Sequence, residues 1–303
     1  VPKLLILSRD APEYRRLIED ARLPGLEIST DPSTSDIVLG EPKLIRDSLP
    51  RLSTLQWVQA IYAGVEPLVD PAQRRDYILT NARGVFGELM SEYVFGYLLF
   101  YEKKMLERIQ NQQAKHWQRS ESGVLRGKTI GLLGVGSIGA HLAGTAKHFG
   151  MKVRGFTRES ETSRKVDKYY HGKELLKFAK GLDYLVCILP RTEDTNKIVD
   201  ANLLNALPPH AVFINVGRGN AVDESALVKA LNEGGLAAAV LDVFEKEPLP
   251  EDHPFWGTPN LYMTFHTSAI SYPEDITKLF VENYKLFIDG KPLKYVVDFE
   301  RGY

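Results

Sequence analysis

The sequence predicts an α/β protein built as two successive parallel-sheet units. Three observations carry that prediction. Short apolar runs alternate with amphipathic helical patterns, as expected of parallel strands joined by helices. A polar, glycine-bearing connection, "ESGVLRGKT" at 121–129, separates two such series. A Gly-x-Gly-x-x-Gly loop stands between the first strand and the first helix of the second series, the context in which that pattern acquires a mechanism.

In the first series the candidate strands are 3–7, 26–28, 36–40, 55–61 and 77–80, with helical patterns between several of them, such as that at 12–21. The apolar stretch "YVFGYLLFY" at 93–101 runs on into "EKKMLERIQNQQ" and reads as part of one long helix over 88–113. In the second series strands are expected at 129–134 and 152–157, then at 183–189, 211–216 and 236–244, and last at 261–266. The central runs have no polar alternation, as in strands buried on both faces. Helices are expected at 137–150, 172–181 and 223–235, the last capped by Asp223 and ended by Gly234-Gly235. A C-terminal helix is expected over 272–291. The expected domains are 1–87 plus 272–303, and 88–271, so that the end of the chain closes the first domain.

A chain of 303 residues with 44% hydrophobic and 25% charged residues suits two medium globular domains. Lys and Arg total 38 against 39 Asp and Glu, so no global basic field recommends a nucleic-acid partner. The single cysteine, Cys187, has apolar neighbours and reads as a buried strand residue in a reducing compartment. "VPKLLILSRD" lacks the plan of a signal peptide, and the longest apolar stretch is too short to span a bilayer. A cytoplasmic location without membrane association is expected. The seven histidines show no metal-ligand spacing, so no metal site is expected.

The loop is Gly134-x-Gly136-x-x-Gly139, with Ser137 and Ile138 opening the helix. Gly134 permits the tight turn, Gly136 lets a pyrophosphate approach the backbone, and Gly139 lets helix and strand pack closely. The helix N-terminal amides would then face the phosphates. In this loop class an acid about 20 residues on binds the adenosine ribose. Here Thr157-Arg158 occupy that place. Threonine does not repel a 2′-phosphate, and an arginine fork suits one. NADP(H) is therefore expected over NAD(H), with NAD(H) still possible because Glu159 and Glu161 are close by.

Three later segments each end an apolar strand with a polar group: Arg218 in "FINVGRGN", Glu247 in "LDVFEKEPLP" and His266 in "MTFHTSAI". Ligands of open α/β sheets bind at the carboxyl ends of strands. Taken in this order behind the glycine loop, with "LPRTEDT" at 189–195, these motifs resemble the D-isomer-specific 2-hydroxyacid dehydrogenase family over nearly the whole chain. Within it, "HWQ" at 116–118, the Thr157-Arg158 pair and the closing "VDFERGY" look most like the glyoxylate/hydroxypyruvate reductase A branch.

The resemblance implies two Rossmann-like domains, one flavodoxin-like and one dinucleotide-binding, with a cleft between them. It implies a homodimer, with Trp117 on a dimer-forming extension, and reduction of a small 2-keto acid. His266 would donate the proton, Glu247 would orient and charge it, and Arg218 would pair with the substrate carboxylate. It further implies that Pro190, Thr192, Thr195, Val216, Gly217 and Asp242 border the cofactor. Ala63, Gly64 and Val65 would hold the substrate carboxylate through backbone amides, with Arg83 as a further cation. Phe265 departs from the family pattern, which has proline before the histidine, and leaves the substrate side chain open. Two other functions remain: an NAD-linked phosphoglycerate-type dehydrogenase, and a dinucleotide-sensing module like the related corepressors. The first is less expected, because the chain stops at Tyr303 without a regulatory domain and shows no extra basic cluster for a substrate phosphate. Retention of Arg218, Glu247 and His266 together argues against the second.

Overall fold

The computed structural model describes residues 1–303. The chain forms two compact units, one of Val1–Phe86 with Ile270–Tyr303 and one of Gly87–Ala269. The first begins with β1 (Lys3–Leu7), α1 (Ala11–Asp20), β2 (Glu27–Ser29) and β3 (Ile37–Gly40). It continues with α2 (Pro42–Ser48), β4 (Trp57–Ala60), α3 (Glu66–Val69) and β5 (Ile78–Thr80). Its five strands are parallel in the order β2-β1-β3-β4-β5, the flavodoxin-like arrangement.

The C-terminal helix, Pro273–Ile288, supplies part of this unit's core. Phe280 stacks on Trp57 with ring centroids 5.1 Å apart and planes 6° from parallel, and both rings are fully buried. The polar groups beside them are satisfied in a chain. The Trp57 indole donates to Thr80 Oγ1 at 2.8 Å, Thr80 donates to Gln59 Oε1 at 2.8 Å, and Asn283 Nδ2 donates to the same oxygen at 3.1 Å.

The second unit opens with α4 (Gly87–Glu102) and α5 (Met105–Gln113), followed by β6 (Thr129–Leu133), α6 (Ser137–His148), β7 (Lys152–Phe156) and β8 (Lys168–Tyr170). Then come α7 (Leu175–Ala179), β9 (Tyr184–Cys187), α8 (Ala201–Ala206), β10 (Val212–Asn215), α9 (Glu224–Asn232), β11 (Ala238–Leu241) and β12 (Leu261–Met263). All seven strands are parallel in the order β12-β11-β10-β9-β6-β7-β8. Strand order reverses between β6 and β9, which makes the end of β6 the topological switch point. Every residue of β6, β9, β10 and β11 is buried. Along β10 the side chains alternate between two cores, Phe213 in one and Val212 and Ile214 in the other, so both faces are covered. Cys187 lies in the first of these cores, and burial pushes its thiol up to about 12.

The single helix expected over 88–113 is instead two. The Glu102 side chain turns inward and accepts from Lys128 Nζ and the Tyr184 hydroxyl, while its carbonyl accepts from the Gly123 amide. The helix ends there, and Lys104 takes a left-handed conformation with φ 50° before α5 starts. The helix expected at 172–181 is a 3₁₀ turn, Gly172–Glu174, leading into the short α7. Helices α2 and α3 fall between strands of the first series, where helical patterns are expected, and strand β8 and helix α8 are additions to the expected elements. No helix is long and apolar enough to cross a membrane.

Phe280→Ala removes the ring stacked on Trp57 and should lower stability by about 3–5 kcal/mol. Urea unfolding of the variant is expected to show a clearly reduced midpoint; an unchanged midpoint would mean that the C-terminal helix adds little to this core.

Candidate active site

The switch point is built from the glycine loop. Gly134 adopts φ +101°, and its amide donates to the Phe156 carbonyl at 3.0 Å, which extends the parallel β6–β7 pairing to the start of the loop. A Cβ on Gly139 would lie 2.5 Å from the Gly134 carbonyl oxygen, so α6 can approach the strand only with glycine there. A Cβ on Gly136 would meet nothing within 4 Å. The first and third glycines are thus demanded by the protein's own packing, and the second opens onto free space. Gly136 is the N-cap of α6, Ser137 begins the helix, and both are exposed. This is the form of a pyrophosphate cradle, and the residues fit a dinucleotide.

At the end of β7, Thr157 is buried and its hydroxyl donates to the Ser160 carbonyl at 3.0 Å. His171, just after β8, contacts the Thr157 carbonyl through Nδ1 at 3.0 Å and Glu161 Oε1 through Nε2 at 2.7 Å. Those contacts, Glu161 first, raise the imidazole pKa. Arg158 is exposed and donates to Asp194 Oδ2 at 2.8 Å. Exposed ion pairs are weak, so Asp194 is a partner that Arg158 can exchange. Asp194 belongs to the 3₁₀ turn Glu193–Thr195. Thr195 Oγ1 donates to the Pro190 carbonyl at 2.8 Å and accepts from the Thr192 amide at 2.9 Å.

Three strand ends carry the remaining polar groups of this unit. After β10, Val216 is buried and the Gly217 amide donates to Asn215 Oδ1 at 3.1 Å. Arg218 follows, half-buried, and Nη1 donates to the Gly217 carbonyl at 2.8 Å. A Cβ on Gly217 would sit 2.6 Å from the Leu189 carbonyl oxygen, and one on Gly219 would overlap the Phe244 carbonyl carbon at 1.8 Å. Both glycines are therefore required by neighbouring backbone.

After β11, Glu247 accepts from the Phe244 amide through Oε1 at 2.9 Å and from His266 Nδ1 through Oε2 at 2.8 Å. His266, beyond β12, has φ 57°, a conformation costly for most side chains but tolerated by histidine more than by many. Its amide donates to the Asp242 carbonyl at 2.7 Å. The fully buried Asp242 carboxyl accepts from Thr264 Oγ1 at 2.6 Å, from the Thr267 amide at 2.8 Å and from the Ser268 amide at 3.1 Å. The turn on which His266 sits is thus fixed from beneath.

The electrostatics of the pair follow from this geometry. The hydrogen bond to Glu247 raises the His266 pKa; burial and the Arg218 charge oppose the rise, and the Glu247 and Asp242 charges add to it. For Glu247, burial pushes the carboxyl up, but the His266 and Phe244 hydrogen bonds outweigh it and its pKa is lowered. Both shifts favour an imidazolium beside a carboxylate.

In the first unit, Ala63, Gly64 and Val65 follow β4, and Val65 is buried. Asn81 ties this turn to the one after β5: Nδ2 donates to the Ala63 carbonyl at 2.9 Å, and Oδ1 accepts from the Arg83 amide at 3.2 Å. Arg83 is exposed. In the second unit, Trp117 is 92% exposed, and Phe265 projects outward with its ring 6.0 Å from that of Trp256.

Sequence reasoning picked out His266, Glu247 and Asp242 but missed the groups that hold them. Thr264 and the Thr267 and Ser268 amides lie within the singled-out "TFHTSA" segment, whose small polar residues were the available signal. Tyr93, whose hydroxyl is 2.7 Å from Thr264 Oγ1, was hidden inside an apolar helical run. His171 and Asp194 reach the end of β7 from other strand ends; Asp194 lies within the singled-out "LPRTEDT" segment, and no local pattern marks His171.

Residues 95–268 match the family model described as the D-isomer specific 2-hydroxyacid dehydrogenase NAD binding domain. The glyoxylate/hydroxypyruvate reductase A of Yersinia enterocolitica is 33% identical, over 93% of this chain and 94% of that protein. A D-isomer specific 2-hydroxyacid dehydrogenase family protein from Aeromonas salmonicida superposes with a TM-score of 0.92 at 44% identity, covering 98% of this chain and 99% of that one. An NADPH-dependent glyoxylate/hydroxypyruvate reductase from Sinorhizobium meliloti, solved with NADP and sulfate, superposes with a TM-score of 0.88 at 28% identity, covering the whole of both chains.

Glu247→Gln should let the His266 pKa fall back toward the ordinary value of about 6.5. Titration of the imidazole by NMR is the measurement, and identical curves for the two proteins would deny the coupling.

Proposed function

The chain belongs to the D-isomer-specific 2-hydroxyacid dehydrogenase family, whose members are NAD(P)-dependent dehydrogenases and reductases, and from that membership we propose that it reduces small 2-keto acids, such as glyoxylate or hydroxypyruvate, to D-2-hydroxy acids. The observation that carries this reading is the 2.8 Å contact of His266 Nδ1 with Glu247. It directs the other ring nitrogen, Nε2, to proton transfer. A bound nicotinamide supplies the hydride. His266 hands its proton to the substrate carbonyl oxygen, and Glu247 holds the ring and stabilises its charged form. The half-exposed His266 side chain can take up the next proton from solvent. Arg218 pairs with the substrate carboxylate and polarises the carbonyl. In the first unit, the Ala63–Gly64–Val65 turn and Arg83 are the substrate-side groups, which makes that unit the substrate domain and the second the dinucleotide-binding domain.

Gly134, Gly136, Ser137, Ile138 and Gly139 would hold the pyrophosphate. Pro190, Thr192, Thr195, Val216, Gly217 and Asp242 would border the rest of the cofactor. NADP(H) is preferred over NAD(H) in this reading, because Thr157 is uncharged and Arg158 can trade Asp194 for a 2′-phosphate. Glu161 would oppose a phosphate, but it is engaged by His171 at 2.7 Å and raises that imidazole's pKa. The NADPH-dependent reductase from Sinorhizobium meliloti supports the same preference. The exposed apolar side chains of Met105, Leu106 and Ile109 on α5 support a homodimer, and the lone buried Cys187 suits a reducing, cytoplasmic setting.

Steady-state kinetics with NADPH and NADH across glyoxylate, hydroxypyruvate, pyruvate and phenylpyruvate test this function. Protein that binds NADPH but oxidises none of it with any 2-keto acid would be a dinucleotide-binding module instead. His266→Ala should lower kcat by roughly 10²–10⁴-fold and leave NADPH affinity little changed. Reduction requires the imidazolium, so kcat/KM should be level at low pH and fall as pH rises through the raised His266 pKa. Oxidation of the hydroxy acid should show the opposite trend. Arg158→Ala should weaken NADPH roughly tenfold while sparing NADH; equal effects on the two cofactors would show that the arginine does not read the phosphate.

A further inference from the structure

Glu247 lies on an exposed stretch: residues 245–248 all face solvent. A carboxylate that must stay 2.8 Å from His266 Nδ1 is thus carried by a loop with little core packing at its tip. Both ends of that loop converge on one side chain. Glu224, the first residue of α9, accepts from the Glu245 amide through Oε1 at 3.0 Å and meets His253 Nε2 through Oε2 at 3.2 Å. The side chains of Glu224 and His253 are 16% and 20% exposed, so this contact is far better shielded than the protein's surface ion pairs.

The geometry also sets the His253 tautomer. Its Nδ1 accepts from the Phe255 amide at 3.3 Å, so the proton of the neutral ring is on Nε2 and is donated to Glu224. Its ring packs edge-on against Phe255 with centroids 4.5 Å apart, and Phe255 is 1% exposed in the core. On the other side, Gly219 touches the backbone of Phe244 and Glu245 closely enough that a Cβ would overlap both. The segment that follows Arg218 therefore lies against the root of the Glu247 loop, and Glu224 fastens the loop at both ends.

We infer that Glu224, with His253 as its second contact, is a positioning residue for the Glu247–His266 pair. Glu224 touches none of the reacting groups. It shuts the loop between Glu245 and His253 through a single carboxylate and so keeps the Glu247 carboxylate against the imidazole. This rests on the reading of His266 as proton donor with Glu247 as its partner.

The test uses the full-length protein with glyoxylate and NADPH. Glu224→Gln puts an amide NH₂ in reach of two groups that both donate, so one of the two contacts is lost. The expected result is a fall in kcat of about tenfold to a hundredfold, the scale of a small misplacement of a reacting group, with the KM for NADPH within about twofold. The falling limb of the kcat/KM–pH profile should move to lower pH, in the direction that Glu247→Gln moves it. His253→Phe keeps the ring packing on Phe255 but removes the donor, and should shift the limb the same way. His253→Gln keeps a donor and should restore much of the loss. It also serves if Glu224→Gln folds poorly, because the Phe and Gln variants at 253 can be compared directly. A lower Tm with unchanged kcat and an unmoved pH limb in Glu224→Gln and His253→Phe would overturn the proposal and leave these residues as structural supports. Near-normal turnover of His266→Ala would instead remove the reading on which it rests, and that outcome is recognised by a different variant.

Discussion

The Asp242 carboxyl group, fully buried at the end of β11, sets the geometry on which the candidate chemistry depends. A buried carboxyl is costly unless its oxygens are satisfied. Here they are satisfied by the turn beyond β12: the Thr264 hydroxyl and the Thr267 and Ser268 amides all donate to it, and the Asp242 carbonyl takes the His266 amide. The need to satisfy Asp242 thus forces a particular backbone path, one that carries His266 through φ 57°. Local strain of this kind persists where the surroundings over-determine it, and four hydrogen bonds to one residue do so. The imidazole then meets Glu247 at a distance suited to a shared proton.

Close backbone packing supports the same region. Gly217 lies against Leu189, and Gly219 lies against Phe244 and Glu245, so the segments after β9, β10 and β11 meet with no side chain between them. Arg218 is set between two residues that cannot be anything larger. At the switch point the same economy appears in Gly139 against Gly134, while Gly136 opens outward and keeps room for a phosphate. The end of β7 is less tightly built. Arg158 and His171 there each hold an acid, Asp194 and Glu161, and at least the first pair is exposed enough to exchange partners.

Much of the architecture could be read from residue pattern. The uniform apolar runs at β6, β9, β10 and β11 admit little but strands buried on both faces, and Asp223 caps α9 as its position suggests, accepting from the Ala226 amide at 3.1 Å. The errors have local causes. Strand β8 is three residues, "KYY", at the edge of the sheet, where a charged and aromatic run carries no clear alternation. The helix expected over 88–113 has continuous helical periodicity, and nothing in "YEKKM" shows that Glu102 turns inward to Lys128 and Tyr184. That break depends on residues far along the chain.

The site divides in the same way. Residue types and order were enough to single out Arg218, Glu247, His266, the glycine loop and the missing acid at Thr157, because strand ends and glycine turns are written in neighbouring residues. The partners of those residues were not: Asp194 for Arg158, His171 for Glu161, Thr264 and two backbone amides for Asp242, and Glu224 with His253 for the Glu247 loop. Each of these contacts joins segments distant in sequence, and a hydrogen bond is made at a few ångströms in space whatever the separation along the chain. Local order can nominate the groups that do chemistry; the folded packing alone selects the neighbours that orient them and tune their charge.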